Sequence, residues 1–308
     1  MAGIFVFSED SALASQLLTP ALELKQSLEQ PVIALALSEP DAKQLAALGA
    51  DKVVVLQSAG QWVEGFAGAV YAQTSLAGAS VLLVGGTLRG KHIAAYVAAK
   101  LNAGMTTDAK TLRIESGKLL ATRVLYAGLA VCEEEVTLPA VATIRARTFL
   151  PPAPASSAGV VETATAEVDV RVTVNEVTAT SAAGIDITAA NKLVSAGRGF
   201  RKKEDLKLAE DLSGVLKAEI ACSRGIAEGE HWLPIERYIG ISGQTVKPDL
   251  YLAVGLSGQV QHMVGCRESK VIVAVNIDKG APIFEAADYG IVGDLYEVLP
   301  LLTAALKN

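Results

Sequence analysis

The sequence predicts an α/β protein with two domains built on mainly parallel sheets, the first of which carries an added antiparallel hairpin region. Hydrophobic residues make up 51% of the 308 residues and aromatic residues only 5%, which suits closely packed helix–sheet layers. Short β-branched runs alternate with amphipathic stretches along both halves of the chain. These runs are almost continuously apolar, as parallel strands are when both of their faces are covered.

The first domain opens with strands and helices in strict alternation. The predicted strands are Ile4–Phe7, Val32–Leu37, Val53–Leu56 and Val81–Val84. The predicted helices are Ala12–Glu29, Pro40–Leu48, Trp62–Ala77 and Gly90–Leu101. Because a helix follows each strand, we expect right-handed crossovers within one parallel sheet.

The pattern changes after residue 110, where strand-like runs have short connections. These runs are Thr111–Ile114, Leu119–Tyr126, Ala130–Val136 and Val141–Ala146. The middle two predict an antiparallel hairpin around Gly128. The composition of Pro151–Gly159 predicts a surface loop, and the clean alternation of Val168–Val177 predicts a half-exposed antiparallel strand.

A second series of strands and helices predicts domains at 1–188 and 189–308, joined by a hinge at Thr180–Ala189. Its predicted strands are Lys192–Ala196, Glu219–Ala221, Leu250–Gly255, Val271–Asn276 and Ile291–Val292. Its predicted helices are Glu204–Lys217, Gln259–Val264, Ile283–Ala287 and Asp294–Leu306.

Charge and motif spacing exclude several classes of protein. The formal net charge is 27 − 33 = −6, which argues against a nucleic-acid binder that neutralises phosphates. The first residues lack a basic region followed by a long apolar run, so we expect a cytoplasmic protein without membrane insertion. Neither metal-ligand spacing nor a Gly-x-Ser-x-Gly motif is present, so we expect no metal and no serine hydrolase.

Glycine and polar residues follow each predicted strand of the second domain. They occur as Gly197-Arg198-Gly199, Ser223-Arg224-Gly225, Ser257-Gly258-Gln259-Val260-Gln261-His262, Asn276-Ile277-Asp278 and Gly293-Asp294. Ordinary turns and helix caps use the same residue types. The carboxyl ends of parallel strands meet at one edge of a sheet, however, so their convergence predicts a ligand site.

The residues of this edge suit a phosphate-containing ligand, although the Gly-x-Gly-x-x-Gly fingerprint of dinucleotide sites is absent. Ser257-Gly258 precedes a short helix, where backbone N–H groups can approach a phosphate. Arg198 beside a glycine turn is either a solvated cation or a partner for a pyrophosphate. His262 either fills the core or carries a proton where a ligand becomes negative.

Several long segments of the chain resemble one family. They are SAGRGF (Ser195–Phe200), CSRG (Cys222–Gly225), IGISGQTVKPDLYLAVGLSGQVQHMVG (Ile239–Gly265), VIVAVNID (Val271–Asp278) and APIFEAADYGIVGDL (Ala281–Leu295). With them the chain from Leu193 onward resembles the FAD-binding domain of the electron transfer flavoprotein α subunit. The segment Gly86–Leu112 of the first half is also similar to that subunit.

The resemblance implies two Rossmann-like or flavodoxin-like domains, with FAD on the second. It implies a heterodimer with an electron transfer flavoprotein β subunit, which the first domain would contact through Val168–Val177 and the hairpin Leu119–Thr137. The expected function is an electron carrier rather than an enzyme with its own substrate. Its electrons would come from a flavoprotein dehydrogenase, such as an acyl-CoA dehydrogenase, and pass to a downstream acceptor.

The resemblance also implies the residues that bind FAD. They are Arg198, Ser223, Arg224, Ile239, Gly240, Ile241, Ser242, Ser257, Gly258, Gln259, Val260, Gln261, His262, Asn276, Asp294 and Leu295. Arg198 is expected at the pyrophosphate, Ser223 and Arg224 at the flavin ring, Ser242 near flavin N5 and His262 near flavin O2. The turn at residues 257–261 would face the phosphates. Asn276, Asp294 and Leu295 are expected at the adenosine end of FAD.

One motif departs from the family and two alternative functions stay open. Many members have V-G-Q-T-G where this chain has Ile239-Gly240-Ile241-Ser242-Gly243, so a hydroxyl is kept at Ser242 and an amide is lost at Ile241. One alternative is an electron-bifurcating carrier with a second flavin in the β subunit. The other is a stand-alone enzyme that depends on NAD or another nucleotide.

Overall fold

A computed structural model describes residues 2–58, 62–126, 130–169, 171–176 and 186–307. The chain divides into two compact parts, unit 1 at Met1–Val177 and unit 2 at Thr178–Asn308. Residues 180–185 of the predicted hinge Thr180–Ala189 lie outside the described residues.

Unit 1 contains a parallel sheet covered by helices. Its strands are β1 (Ile4–Phe7), β2 (Val32–Ala36), β3 (Lys52–Gln57), β4 (Val81–Gly85), β5 (Gly104–Thr106), β6 (Ala109–Glu115), β7 (Lys118–Leu125), β8 (Ala130–Thr137), β9 (Ala140–Ile144) and β10 (Val160–Thr165). Its helices are α1 (Ser11–Leu28), α2 (Glu39–Ala47), α3 (Ala67–Leu76) and α4 (Leu88–Leu101). The larger sheet has the order β10-β3-β2-β1-β4-β9-β5, and each of its strand pairs is parallel.

The central strands of unit 1 are apolar on both faces because each face packs against its own core. Ile4 and Val6 of β1 lie in one core, whereas Phe5 and Phe7 lie in the other. The chain then enters α1 through Asp10, whose carboxylate accepts a hydrogen bond from the Leu13 N–H at 2.9 Å.

The predicted hairpin region forms a separate antiparallel sheet with the order β6-β7-β8. β7 and β8 pair along their length, from Lys118 opposite Thr137 to Leu125 opposite Ala130. The turn between them, with Gly128, lies outside the described residues.

The prediction of a strand at Val168–Val177 is wrong for the residues that the structure describes there. The chain instead forms β10 earlier, directly after the predicted loop Pro151–Gly159, and pairs it parallel to β3 at the edge of the sheet. Val168 packs against the core that contains Phe5, so its apolar character reflects a loop contact rather than a strand face.

Unit 2 is a five-stranded parallel sheet with helices between its strands. The strands are β11 (Lys192–Ala196), β12 (Glu219–Cys222), β13 (Leu250–Val254), β14 (Ile272–Asn276) and β15 (Tyr289–Val292). The helices are α5 (Lys207–Leu216), α6 (Val260–Met263), α7 (Ile283–Ala286) and α8 (Leu295–Leu306). The order β12-β11-β13-β14-β15 is the doubly wound 2-1-3-4-5 arrangement, and the predicted fold class is confirmed.

The strand order of unit 2 reverses between β11 and β13. Connections leave these neighbouring strands in opposite directions, so a crevice opens beyond their carboxyl ends. Residues from four of the five polar strand ends found in the sequence line this crevice, whereas Gly293 and Asp294 after β15 do not.

Candidate functional site

A cavity of about 1000 Å³ lies at the carboxyl edge of the unit 2 sheet. Ligand pockets range from ~300 to ~1,000 Å³, so this cavity has room for a large ligand such as a dinucleotide. The predicted residues that line it are Arg198, Ser223, Arg224, Ile239, Ile241, Ser242, Ser257, Gly258, Gln259, Gln261, His262 and Asn276.

Two glycine-containing turns bring the ends of β11 and β13 together beside this cavity. The Gly197 N–H donates to the Val254 carbonyl at 2.9 Å, and the Gly199 N–H donates to the Gly255 carbonyl at 3.0 Å. Gly255 has φ +60°, and a Cβ atom there would lie 2.9 Å from the Gly199 Cα. Only glycine permits so close an approach of the two backbones.

Two polar atoms at the cavity lack a protein partner. The Ser223 Oγ and the His262 Nδ1 are buried, and neither has a hydrogen-bond partner in the described residues. A buried polar group without a partner costs free energy, on the order of 1–3 kcal/mol. A ligand with polar atoms at matching positions would recover that cost.

His262 is held from behind by Tyr251. Its Nε2 lies 2.6 Å from the Tyr251 hydroxyl, and only 9% of the His262 surface is exposed. Burial lowers the pKa of His262 to about 4. The nearby backbone of Ile239 raises this pKa but offsets only part of the effect of burial. The imidazole is therefore neutral near pH 7 in the protein alone, and it does not bring a fixed positive charge to the cavity.

The loop Ile239–Gly243, whose sequence differs from the family motif, places a hydroxyl at the cavity wall. The Ser242 Oγ lies 3.0 Å from the Tyr238 hydroxyl, and the Ile241 N–H donates to the Gln261 carbonyl at 2.9 Å. The Ile241 side chain is 63% exposed. The loop thus keeps its shape through the backbone and through Tyr238, without an amide side chain at position 241.

Two exposed arginines provide positive charge at the cavity. Arg198 lies in the turn after β11, and the Arg224 Nε is paired with the Glu228 carboxylate at 2.5 Å. The hydrogen bond and negative charge of Glu228 raise the pKa of the Arg224 guanidinium further above its ordinary value. Water screens such an exposed pair, so a bound anion can compete with Glu228 for the guanidinium.

Four of the predicted residues lie outside the cavity lining. Gly240 shapes the loop with φ +154°, and the Val260 side chain on α6 is exposed. Asp294 caps α8, accepting a hydrogen bond from the Tyr296 N–H at 2.9 Å, and Leu295 is buried in a core. The structure therefore gives Asp294 and Leu295 a part in the fold, and their expected place at the adenosine end stays a prediction.

Sequence reasoning missed several residues that shape the site. Tyr238 and Glu228 line the cavity and contact Ser242 and Arg224, whereas Tyr251 lies behind His262. The spacing of Arg224 and Glu228 is i,i+4, a detectable pairing signal on a helical turn. Tyr251 stands inside the apolar strand β13, so nothing in the local pattern separates it from an ordinary core residue.

Within the described ranges, no helix has the length and apolar character needed to cross a membrane. The same part of the chain contains no group of three or more His, Cys, Asp or Glu side chains that could hold a metal ion.

Two sequence models of one family match this chain. The model described as “Electron transfer flavoprotein domain” matches residues 8–169, and “Electron transfer flavoprotein FAD-binding domain” matches residues 186–267. The chain is also 42% identical to the protein FixB of Escherichia coli O6:K15:H31 (strain 536 / UPEC), of Shigella flexneri and of Escherichia coli K12. Each alignment spans 313 positions and covers 99% of this chain and 98% of the relative.

Proposed function

This chain belongs to the electron transfer flavoprotein α family, and we propose that it is the FAD-binding subunit of a two-subunit electron carrier. The observation that carries the proposal is the unpaired Ser223 Oγ and His262 Nδ1 at a cavity of dinucleotide size. These atoms can engage polar atoms of FAD. Arg198 and Arg224 supply the charge that a pyrophosphate or a reduced ring needs.

The roles of the residues follow from their charge and their partners. Bound FAD supplies the redox chemistry, because it takes up and gives back one or two electrons. Arg198 and Arg224 favour ligand groups that carry negative charge, and each is exposed enough to turn toward them. Ser223 and Ser242 offer hydroxyls, and His262 offers a ring nitrogen, at the wall of the cavity.

We further propose the partners of this carrier. A β subunit completes the heterodimer, and the antiparallel sheet β6-β7-β8 of unit 1 is the candidate contact for it. Near the tip of that sheet Val131 and Tyr126 are 73% and 76% exposed, apolar surface that a partner would cover. The electron donor is a flavoprotein dehydrogenase such as an acyl-CoA dehydrogenase.

The test is electron transfer with the purified complex of this chain and its β subunit. A reduced acyl-CoA dehydrogenase should bleach the flavin absorption of the complex, and a downstream acceptor should restore it. Bleaching by NADH alone, with turnover in the absence of any dehydrogenase, would favour the stand-alone nucleotide-dependent enzyme. A complex that binds no FAD would refute the proposal.

A further inference from the structure

The hydroxyl of Tyr251 is buried behind His262 and is not part of the cavity lining. Tyr251 has no exposed surface, and its Oη lies 2.6 Å from the His262 Nε2. The other ring nitrogen, Nδ1, has no hydrogen bond of good geometry within the described residues, although the backbone of Ile239 lies near enough to the ring to raise its pKa. Because His262 lines the cavity, Nδ1 is the nitrogen available to a ligand. Which of the two nitrogens carries the ring hydrogen decides whether His262 presents a donor or an acceptor at Nδ1.

The ionisation of the buried groups restricts the proton arrangements. Burial raises the pKa of Tyr251 well above its ordinary value, so its hydroxyl keeps its hydrogen. Burial likewise raises the pKa of the neighbouring Cys266 thiol to about 12. His262, with its pKa near 4, is neutral at pH 7 and has one ring hydrogen. Two arrangements remain, and they differ in the direction of the Tyr251–His262 hydrogen bond.

The relative acidity of the two donors favours the first arrangement. If Tyr251 donates to Nε2, the phenol hydrogen and the nitrogen lone pair are both used, and Nδ1 holds the ring hydrogen. If Nε2 donates instead, the phenol hydrogen must turn to the Ser195 hydroxyl, whose Oγ has no hydrogen-bond partner in the described residues, or to the Cys266 thiol, a weak acceptor. A phenol is a stronger acid than a neutral imidazole N–H, and an imidazole nitrogen is a stronger base than a hydroxyl oxygen. Donation from the Tyr251 O–H to Nε2 is therefore the favoured direction.

We propose that Tyr251 is a positioning residue that holds His262 in the tautomer with its hydrogen on Nδ1, so that His262 offers a neutral N–H donor to the ligand. For FAD as that ligand, this inference rests on the proposed function. A fixed donor binds a ligand atom more tightly as that atom becomes more negative. Tyr251 would thereby favour reduced over oxidised FAD through His262, without touching the cofactor.

The experiment is nitrogen-15 NMR of the complex with β, labelled at histidine. The chain has three histidines, His92, His231 and His262, so a His262→Gln variant identifies the signals of His262. The wild-type ring should show a protonated Nδ1 and a bare Nε2. Tyr251→Phe should remove this preference, and Tyr238→Phe, which deletes another phenol hydroxyl beside the cavity, should leave it intact.

The second readout is the affinity for FAD in its two redox states. Tyr251→Phe should lower the preference for reduced over oxidised FAD roughly tenfold, the effect of one hydrogen bond to a charged group. A wild-type ring protonated at Nε2 would overturn the inference, as would an unchanged ring in a folded Tyr251→Phe complex. If that variant does not fold, the wild-type spectrum alone decides. A complex without FAD would refute the proposed function, whereas its His262 spectrum would still decide the tautomer.

Discussion

The carboxyl edges of the two parallel sheets differ in the kind of buried polar atom that they leave without a partner. In unit 1 the Thr87 hydroxyl donates to Glu9 Oε1 at 2.6 Å, but the second carboxylate oxygens of Glu9 and Glu64 are buried without a hydrogen-bond partner in the described residues. In unit 2 the atoms without such a partner are the Ser223 Oγ and the His262 Nδ1. A carboxylate oxygen only accepts hydrogen bonds, whereas a hydroxyl and an imidazole can also donate one to the oxygens of a phosphate-containing ligand.

The two edges also differ in how their charges are paired. In unit 1 the arginine and lysine side chains at the edge are held in ion pairs with Glu64 and Asp108. The unit 2 cavity is lined by two arginines, Arg198 and Arg224, and by two carboxylates, Glu228 and Asp278. Arg224 is paired with Glu228, whereas Arg198 forms no ion pair within the described residues, so its charge is available to a pyrophosphate. Two sheets of the same class therefore acquire different ligand capacity from the side chains at their edges.

The largest expected effect comes from a backbone turn of the unit 2 edge. Gly258 has φ +77°, and a Cβ there would lie 2.3 Å from the Ile283 Cα, so Gly258→Ala should destabilise unit 2 by at least about 2 kcal/mol. Urea unfolding followed by tryptophan fluorescence measures this. The chain has two tryptophans, Trp62 in unit 1 and Trp232 in unit 2, so a Trp62→Phe background reports unit 2.

The matched control is Gly214→Ala in α5, where a Cβ would meet no atom within 4 Å. This variant should stabilise unit 2 by about 0.5–1 kcal/mol, because alanine favours the helix. Equal effects of the two substitutions would show that the turn at Gly258 is not constrained as described.

A fall in pH should destabilise unit 2 before it destabilises unit 1. The pKa of His262 is about 4 in the folded protein against 6.5 in the unfolded chain, so the unfolded chain takes up a proton first as the pH falls. From pH 7 to 5, unit 2 without FAD should lose about 2 kcal/mol of stability, and His262→Gln should abolish that loss.

Unit 1 should respond only at lower pH. Burial alone would raise the pKa of Asp108, but hydrogen bonds and charge from Lys91 and Arg145 outweigh burial and lower it. The stabilisation from Asp108 is therefore present above its ordinary pKa of 3.8 and is lost below it. A Trp232→Phe background, which reports unit 1, should show a constant stabilisation from Asp108 between pH 7 and 5 and a loss of it only below about pH 3.8.

Removing a hydroxyl should have opposite consequences at the two edges. Ser223→Ala deletes a buried hydroxyl without a protein partner, so unit 2 without FAD should be at least as stable as before while the FAD dissociation constant rises roughly tenfold. Thr87→Ala deletes the cap of α4, which accepts from the Gly90 N–H at 2.8 Å, and should cost unit 1 about 1 kcal/mol. Calorimetric FAD binding should be unchanged by Thr87→Ala. A destabilised Ser223→Ala protein with normal FAD affinity would show that the Ser223 hydroxyl supports the fold rather than FAD binding.

The smallest expected effect concerns the exposed pair of Arg224 and Glu228. Glu228→Gln removes a carboxylate that competes for the guanidinium, so FAD should bind roughly two- to threefold more tightly at low salt. Glu64→Gln, beside Arg89 in unit 1, is the control and should leave FAD affinity unchanged. Weaker binding by Glu228→Gln would mean that Glu228 helps to position Arg224 rather than withholding it.

The sequence predicted the parallel sheets well because their central strands are buried on both faces. Runs such as Val32–Ala36 have few polar residues to obscure the signal. The edge strand β10 escaped prediction because its sequence, VVETAT, mixes apolar and polar residues and most of it is exposed. Val168 shows the converse error, since an apolar residue that packs from a loop imitates one face of a strand.

The cavity was predictable from topology, whereas the contacts around it were not. Residues such as Ser223 and His262 follow strands and glycines, which the order of the sheet brings to one edge. Tyr251 acts across eleven residues of sequence through a hydrogen bond that only the folded chain creates. An aspartate suits both a helix cap and a ligand site, so the residue type of Asp294 does not distinguish the two roles. Its hydrogen bond with the Tyr296 N–H, which caps α8, is visible only in the structure.

The measurement that tests the central claim most directly is the amount of FAD released per α chain from the complex with its β subunit. We predict one FAD per complex, and we predict that the Ser223→Ala complex loses it more readily on dialysis while Thr87→Ala retains it. Two FAD per complex would point to the electron-bifurcating alternative with a flavin in the β subunit. A complex that neither retains nor takes up FAD would contradict the account.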